Sequence, residues 1–404
     1  MYNPRNITGC LKKNFMNKNP GKKVLMAVCN YFNPDNRVFR AANTLQQAGF
    51  KVVVLAYHTQ ELKEEELYGH GFVLKRLKNI TFIIPCRQLR NYIIHMIWKY
   101  KAKSFARHFH PAYVHCHDHN TLFLGNYCKK KFDSVVIYDN HEYFQDLNYL
   151  HRYPLFVRKI IAEYERKALR KFVDEMIVVS PGIAEAYQPL FKKQINIVRN
   201  IPDTSCFKID NVRIPHEVKL FLDEQKKAGR KLLLYLGTNT QKGRGMDFTF
   251  RLVSSLPDNY ALVIFGAKNE EELFFLKQKA TEAGIINRFG AFKSLPIEAL
   301  FELSNYFYMG LSLIEPVYFS YLHSLPNKLF EYMAMGLPVI SSDIDDQAIT
   351  VTENNVGIIV PFEVLKAKDL IVNSASKVFN KEMKSLFTWE KEKQNLLAVY
   401  SILK

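Results

Sequence analysis

Short, continuously apolar runs alternate along this chain with longer stretches in which apolar positions recur every three or four residues. The first pattern is that of a strand buried on both faces, the second that of a helix with one packed side. From Lys23, KVLMAVCNYF predicts a buried strand, and NRVFRAANTLQQAGF a helix with Val38, Ala41, Ala42 and Leu45 on one face and Gly49 as its stop. KVVVLAY is the next strand. AYVHCHDHNTLFLGNYC reads as strand, polar turn and helix, and SVVIYDNHEYFQDL as a buried strand ending at Asp139, Asn140, His141 and Glu142. A charge-paired, scaffold-like helix spans Leu155 to Lys171. EMIVVSPGIAEAYQPLF then gives a strand, Ser180 as N-cap and another helix, and INIVRNIPD closes the first half.

The same alternation restarts after a polar run. KLLLYLGTNTQKGRGMDFTFRLVSSL is strand, Gly-rich loop and helix; ALVIFGA and NRFGAF are further strands; LPIEALFELSNYFYMGLSLIEP adds a helix and a strand. They lead into LPNKLFEYMAMGLPVISSD, from Leu325 to Asp343. There Pro326 suits a first helical turn, Leu329, Phe330, Met333 and Ala334 share a face, Gly336 and Pro338 end the helix, and Val339 and Ile340 begin a strand. Strand–helix alternation of this kind predicts parallel sheets covered by helices, an α/β architecture. Lys328 and Glu331 stand three apart and so share a face near a helix N-terminus, where free N–H groups and the helix dipole attract anions. A phosphate could sit beside Lys328, and Glu331 could accept from the vicinal hydroxyls of a ribose. A solvated i,i+3 ion pair is the plainer reading of the two.

Length sets the domain count: 404 residues exceed what one core usually serves, and 48% hydrophobic content suffices for two. The segments expected are a basic, flexible lead at 1–21, a domain at 22–203, a linker at 204–217, a second domain at 218–382 and a terminal helix at 383–404. Six cysteines at irregular spacing, with no C-x-x-C, indicate neither a zinc site nor a disulfide framework, and fit reduced thiols in a cytoplasm. No apolar run reaches the length of a membrane span. The formal charge of +17 is uneven, because the first 110 residues hold 19 Lys and Arg against 5 Asp and Glu. Such a surface suits anionic lipid, nucleic acid or a polyphosphate ligand. Between Arg87 and Arg107 a helix combines Ile93, Ile94, Ile97 and Trp98 with Lys99, Lys101, Lys103 and Arg107, the signature of membrane-surface contact. It also fits a helix packed on its own sheet.

Several turns carry candidate chemistry. The first βα turn, CNYFNPDNR, lacks G-x-G-x-x-G, which argues against a dinucleotide-binding dehydrogenase. His115, His117 and His119 suggest a metal, but strict alternation would put Asp118 on the opposite face from them, so no metal site is assigned.

PNKxxEYxAxGxPVI is very similar to the donor-binding segment of retaining GT-B glycosyltransferases that use nucleotide sugars, of the group 1 and family 4 type. The resemblance extends from about Lys22 to Tyr400. It includes the D-x-RV turn at Asp35–Val38, the His117–Asp118 pair, the D-x-HE turn at Asp139–Glu142, VxNxPD before the linker, and the Gly-rich loop with Arg244 before Gly245. The resemblance implies two Rossmann-like α/β/α domains with parallel sheets facing across a cleft, and a last helix that crosses back to the first domain. It implies Arg244 and Lys328 on the leaving diphosphate, His141 on the transferred sugar, and donor contacts from Glu331, Asn327, Gly237, Lys242, Gly245 and Gly266. Arg37 and Asp118 fall on the acceptor side, although Arg37 and Arg40 at a helix start also read as surface residues. The sequence departs from the commoner pattern in two places. Thr238 stands where a second base often follows the first Gly, and His323 stands where many relatives have a first Glu that contacts the sugar.

The activity implied is retaining transfer from a UDP- or GDP-sugar to a glycan or lipid-linked glycan, in cell-surface polysaccharide synthesis. No metal or other cofactor and no nucleic acid is expected, and the location is the cytoplasm, peripheral on the inner membrane leaflet. Two alternatives are a same-fold nucleotide-sugar epimerase and a non-catalytic basic protein that binds membranes or polyanions.

Overall fold

Parallel strands need crossover connections of a dozen or more residues, and this chain supplies a helix between nearly every pair. The computed structural model describes residues 21–32, 35–78, 87–146, 150, 153–205, 212–237 and 243–401. The expected N-terminal lead up to residue 20, and Lys242, lie outside them. The chain divides into two compact units. One runs to Arg199 and is rejoined from Glu392 onward, and the other holds Asn200–Lys391. The helix His216–Lys227 begins inside the stretch expected to be linker.

In the first unit, β1 (Lys23–Ala27), β2 (Lys51–Tyr57), β3 (Glu65–Tyr68), β4 (Phe72–Leu77), β5 (Tyr113–His117), β6 (Val135–Asn140), β7 (Glu175–Val178) and β8 (Asn196–Ile197) form one sheet. Its order is β3-β4-β2-β1-β5-β6-β7-β8. All pairs are parallel except β3 with β4, an antiparallel edge hairpin that the apolar pattern does not announce. In the second, β9 (Lys231–Leu236), β10 (Tyr260–Ala267), β11 (Phe289–Lys293), β12 (Phe307–Ser312), β13 (Val339–Ser342) and β14 (Gly357–Val360) pair in parallel throughout, in the order β11-β10-β9-β12-β13-β14. The expected α/β architecture of two sheets with helices is met.

The central strands are apolar on both faces because helices cover both. Leu25, Leu55, Val114 and Val136 are fully buried in the first unit, and Leu233, Leu262, Leu311 and Ile340 in the second. Each sheet reverses its winding once, between β1 and β5 and between β9 and β12. At such a reversal the loops leave in opposite directions and a crevice opens at the carboxyl ends of the strands, where open α/β sheets bind ligands. The helix Trp389–Ser401 returns Tyr400 to the first unit. There its buried ring lies 5.2 Å from Tyr113 and 5.4 Å from Phe50, and Glu392 pairs with Arg199 at 3.0 Å.

Candidate functional site

In the second unit the carboxyl ends of β9 and β10 are brought together as bare backbone. The Gly237 N–H donates to the Phe265 carbonyl at 2.7 Å, and a Cβ on Gly266 would lie only 2.7 Å from the Gly237 Cα. Both residues have positive φ, +94° and +139°, so no L side chain fits this crossing. Further round the turn, Gly243 accepts from the Glu315 N–H at 2.9 Å, and a Cβ on Gly245 would strike the Leu313 carbonyl at 2.4 Å. The Gly-rich turn after β9 is therefore seated on the segment that leaves β12, at the winding reversal, and Gly245 opens the helix Met246–Ser255.

Tyr235, near the end of β9 and 2% exposed, organises the cations. Its hydroxyl donates to the Arg244 carbonyl at 2.9 Å, and its ring centroid lies 3.8 Å below the Lys328 ammonium. The Arg244 guanidinium in turn lies 4.8 Å from the Tyr321 ring centroid. Lys328 and Glu331 are carried by the helix Asn327–Met335, which Gly336 closes in the left-handed conformation. Pro326 stands just outside that helix in extended backbone rather than in its first turn. The helix is pinned by the buried Tyr332, whose hydroxyl accepts from the Leu236 N–H at 2.9 Å and donates to the Leu311 carbonyl at 3.2 Å. Burial, reinforced by the nearby Arg244 charge and opposed by Glu331, pulls the Lys328 ammonium down from 10.5 to about 7. Two cations held close on aromatic faces form a site that an anion would stabilise.

Asn327 accepts from the Asn200 side-chain amide at 2.5 Å. His323 ends the short helix Phe319–Leu322, and its ring is directed at two carboxylates, 3.5 Å from Asp346 and 3.8 Å from Asp345. His323 thus presents an imidazole backed by two carboxylates.

In the first unit Asp139 sits at the end of β6, buried, and gathers four partners. Arg37 grips both of its oxygens, and His115 and His117 each approach the same oxygen at 3.3 Å. His141 stands 3.7 Å from that oxygen and 3.2 Å from His117. The reading of Arg37 as a surface residue is corrected: it is 7% exposed, and its remaining fork donates to the Val198 carbonyl at 2.9 Å. Arg37 is structural because a buried carboxylate at that depth needs a cation. The chain continues outward from His115, which meets the Tyr400 hydroxyl at 2.8 Å.

Strict alternation also fails at Asp118. β5 ends at His117, and Asp118 takes φ +61°, which swings its carboxylate round to accept from the His141 N–H at 3.2 Å and to face the His141 ring at 3.4 Å. His119 instead stacks on Phe144 at 4.0 Å, so the three histidines do not share a site. His115, His117 and Asp139 come near enough together for a cation. However, the two imidazoles lie nearly parallel, 4.3 Å apart, and Asp139 is already balanced by Arg37, so this donor set does not fit a resident metal. Burial lowers His115, against the pull of Asp139, and burial together with the neighbouring His115 lowers His117 to about 3. Burial works against His141 as well, but Asp118 and Asp139 outweigh it and hold His141 above its ordinary value.

His141 and Asp118 are thus brought together in one unit, and Arg244, Lys328, Gly237, Gly245 and Gly266 lie round one winding reversal in the other. Sequence reasoning missed Tyr235, and named Asp139 only as the start of the D-x-HE turn, not as a buried hub. KLLLYLG offers only one signal for the first, a lone aromatic hydroxyl in an otherwise aliphatic strand.

The basic helix resolves as Arg87–Phe109. Trp98 is fully buried and donates to the Ala56 carbonyl at 3.1 Å, so it is a core residue of the first unit and not a membrane anchor. No helix among the described residues is long and apolar enough to cross a membrane.

Two family models match in tandem: Glycosyltransferase Family 4 over residues 35–205 and Glycosyl transferases group 1 over residues 219–393. Among solved structures, the sucrose-phosphate synthase of Thermosynechococcus elongatus superposes with a TM-score of 0.74 at 16% identity, covering 95% of this chain and 99% of that one. Anabaena HepE, solved in complex with UDP and glucose, gives 0.68 at 13% identity, covering 95% and 100%. A putative UDP-N-acetylglucosamine 2-epimerase from Listeria monocytogenes gives 0.61 at 11%, covering 94% and 96%. No curated protein sequence matches the chain.

Proposed function

We propose that this chain, which belongs to the GT-B glycosyltransferases, is a retaining enzyme that transfers a sugar from a UDP- or GDP-sugar to a glycan or lipid-linked glycan in cell-surface polysaccharide synthesis. The observation that carries the reading is the Tyr235-centred pair of cations, Arg244 and Lys328, at the winding reversal of the second sheet. A departing nucleoside diphosphate needs its charge neutralised as the glycosidic bond breaks, and two bases held on a rigid platform supply this with little reorganisation, Lys328 being charged once the anion is bound. Lys328 and Arg244 are assigned to that diphosphate, so that no metal ion is required, and retained activity in excess chelator tests this. Glu331, one turn after Lys328, is assigned to the ribose hydroxyls, and the Gly237 and Gly266 crossing to backbone approach by the nucleotide. Asn327, Gly245 and His323 complete the donor contacts, with His323 presented by Asp345 and Asp346; Lys242 belongs to the same set and lies outside the described residues.

His141, whose protonated form Asp118 and Asp139 favour, is suited to donate to a sugar hydroxyl. Those carboxylates favour the protonated ring, which suits it to position the sugar through a hydroxyl rather than to stabilise positive charge developing at the anomeric carbon. The acceptor's proton passes to the departing diphosphate on the face it leaves, which retains configuration. The anomeric configuration of the product, read by NMR, tests that step. We place the enzyme in the cytoplasm against the inner membrane leaflet.

The deciding experiment is calorimetric binding of UDP, GDP and ADP to the protein and to Glu331→Ala. Selective binding that weakens by about 1–3 kcal/mol in the mutant supports the assignment, the range for hydrogen bonds to a charged group. Unchanged affinity removes Glu331 from the site. The epimerase reading, which the Listeria structure keeps in view for this fold, predicts an isomerised sugar nucleotide without any acceptor. Product analysis with and without a glycan acceptor separates the two.

A further inference from the structure

On the helix Arg87–Phe109, Leu89, Tyr92, Met96 and Tyr100 are 50%, 62%, 45% and 71% exposed. Their spacing of three, four and four places them on one stripe, separate from the buried Trp98, Ala102 and Ala106. A second helix, Leu155–Lys171, carries Phe156, Ile160 and Tyr164 at spacings of four, 65%, 65% and 36% exposed, and Tyr153, two residues before its start, is 50% exposed. Buried Ala168 and Leu169 are what anchor that helix to the core. Four exposed large apolar residues in register on one helix and three on another are unusual in one unit of a monomeric protein and call for a partner.

The two stripes belong to one surface. The first helix links β4 to β5 and the second β6 to β7, and both connections move the same way across the sheet, so right-handed crossovers put both helices on the same face. Both stripes begin in the first turn of their helices, the end nearest the carboxyl ends of the strands where Asp118 and His141 stand, and run past the helix midpoints. Between them, Lys99 lies 5.1 Å over the Phe123 ring and the Tyr164 ring 5.4 Å from His119.

Charge identifies the occupant. From Arg90 to Arg107 the first helix carries five Lys and Arg and no Asp or Glu. The second carries Arg158, Lys159, Arg166, Lys167, Arg170 and Lys171 against Glu163 and the buried Glu165. Apolar stripes flanked by bases match the interface of an anionic bilayer, where rings and aliphatic chains enter the acyl boundary and the bases meet phosphates. A second copy of this face would bring like charges together.

We infer that these two helices form a two-rail docking surface for an anionic lipid bilayer, which presents a lipid-linked acceptor at the edge of the sheet that carries His141. The choice of acceptor rests on the proposed transferase function; the docking itself does not.

The test is flotation of the full chain with phosphatidylcholine vesicles and with vesicles containing phosphatidylglycerol, beside Y92S/F156S/I160S, with donor-nucleotide calorimetry on the same preparations. The expected result is enrichment on anionic vesicles at low salt, at least about tenfold lower in the triple variant, with nucleotide affinity unchanged. Each surface base replaced, such as Lys159→Gln, is expected to lower binding about fivefold. The inference is overturned if the wild type stays with the soluble fraction, if the variant floats equally well, or if sedimentation shows that the variant has dissociated a dimer formed through this face. Nucleotide binding lost in both proteins would instead count against the donor site and leave the docking result standing.

Discussion

Lys328 offers a test in which structure fixes both the sign and the size of an effect. Its ammonium lies over Tyr235 beside Arg244 and titrates near 7 rather than at 10.5, so in the empty protein it is largely charged at pH 6.5 and largely neutral at pH 8.5. A diphosphate between the two bases favours the charged form, so binding above pH 7 must recruit a proton. If the bound ammonium titrates at or above its ordinary value, donor affinity should fall by ~25-fold, or about 1.9 kcal/mol, between those two pH values. Calorimetry with an intact nucleotide sugar is the suitable assay, because its diphosphate diester keeps the same charge over this range. Comparing two buffers of different ionisation enthalpy at pH 8 should reveal uptake of about 0.9 proton. Lys328→Arg, charged throughout, should bind with no such slope. Affinity that stays level from pH 6.5 to 8.5 in the wild type, or an equal slope in Lys328→Arg, would refute the assignment. The same depressed pKa predicts that stability of the empty protein rises from about pH 7 toward 10.5, since over that window the unfolded chain holds a proton that the folded one has released.

Substitutions centred on two further residues, Tyr235 and Arg37, separate organising residues from their neighbours. Tyr235→Phe keeps the ring under Lys328 and loses only the bond to the Arg244 carbonyl, so nucleotide binding should weaken by about 0.5–1.5 kcal/mol; Tyr235→Leu removes both supports and should weaken it further, an order that titration calorimetry would reverse if the ring were mere packing. Arg37→Met strips the buried Asp139 of its cation and should cost about 3–5 kcal/mol in urea unfolding, whereas Arg37→Met with Asp139→Asn should recover part of it; a loss under about 1 kcal/mol would show that the histidines suffice.

Much of the architecture was legible because parallel sheets leave a strong imprint: continuous apolar runs such as KLLLYL and ALVIFGA, separated by helices of fixed periodicity, admit few other folds. The donor segment was legible for a related reason, since Lys328 and Glu331 belong to one helix and their spacing alone puts them on one face. Tyr235 and Tyr321 could not be read this way. Tyr235 meets Lys328 across 93 positions of sequence, and only the adjacency of β9 and β12 brings it beneath that helix. The edge hairpin of β3 and β4 was missed because half-exposed strands such as EELY alternate too weakly to stand out from a loop.

The first unit shows where local rules mislead about polar residues. Alternation along VHCHDH holds only while the chain is a strand. β5 stops at His117, and a single positive φ at Asp118 carries the carboxylate to the face that alternation denied it. Arg37 and Trp98 deceived in the opposite sense: a basic residue at a helix start and an indole in a basic helix both suggest surface work, yet each is buried by a partner far away in sequence, Asp139 and the Ala56 carbonyl. What joins these cases is the buried charge of Asp139. Once a carboxylate is placed at the inner end of β6, it must draw in Arg37, His115 and His117, and through His115 the Tyr400 hydroxyl from the far end of the chain. His141 is the half-buried end of that web, so its pKa is raised by Asp139 of its own D-x-HE turn together with Asp118 from beyond the end of β5, and not by the turn alone.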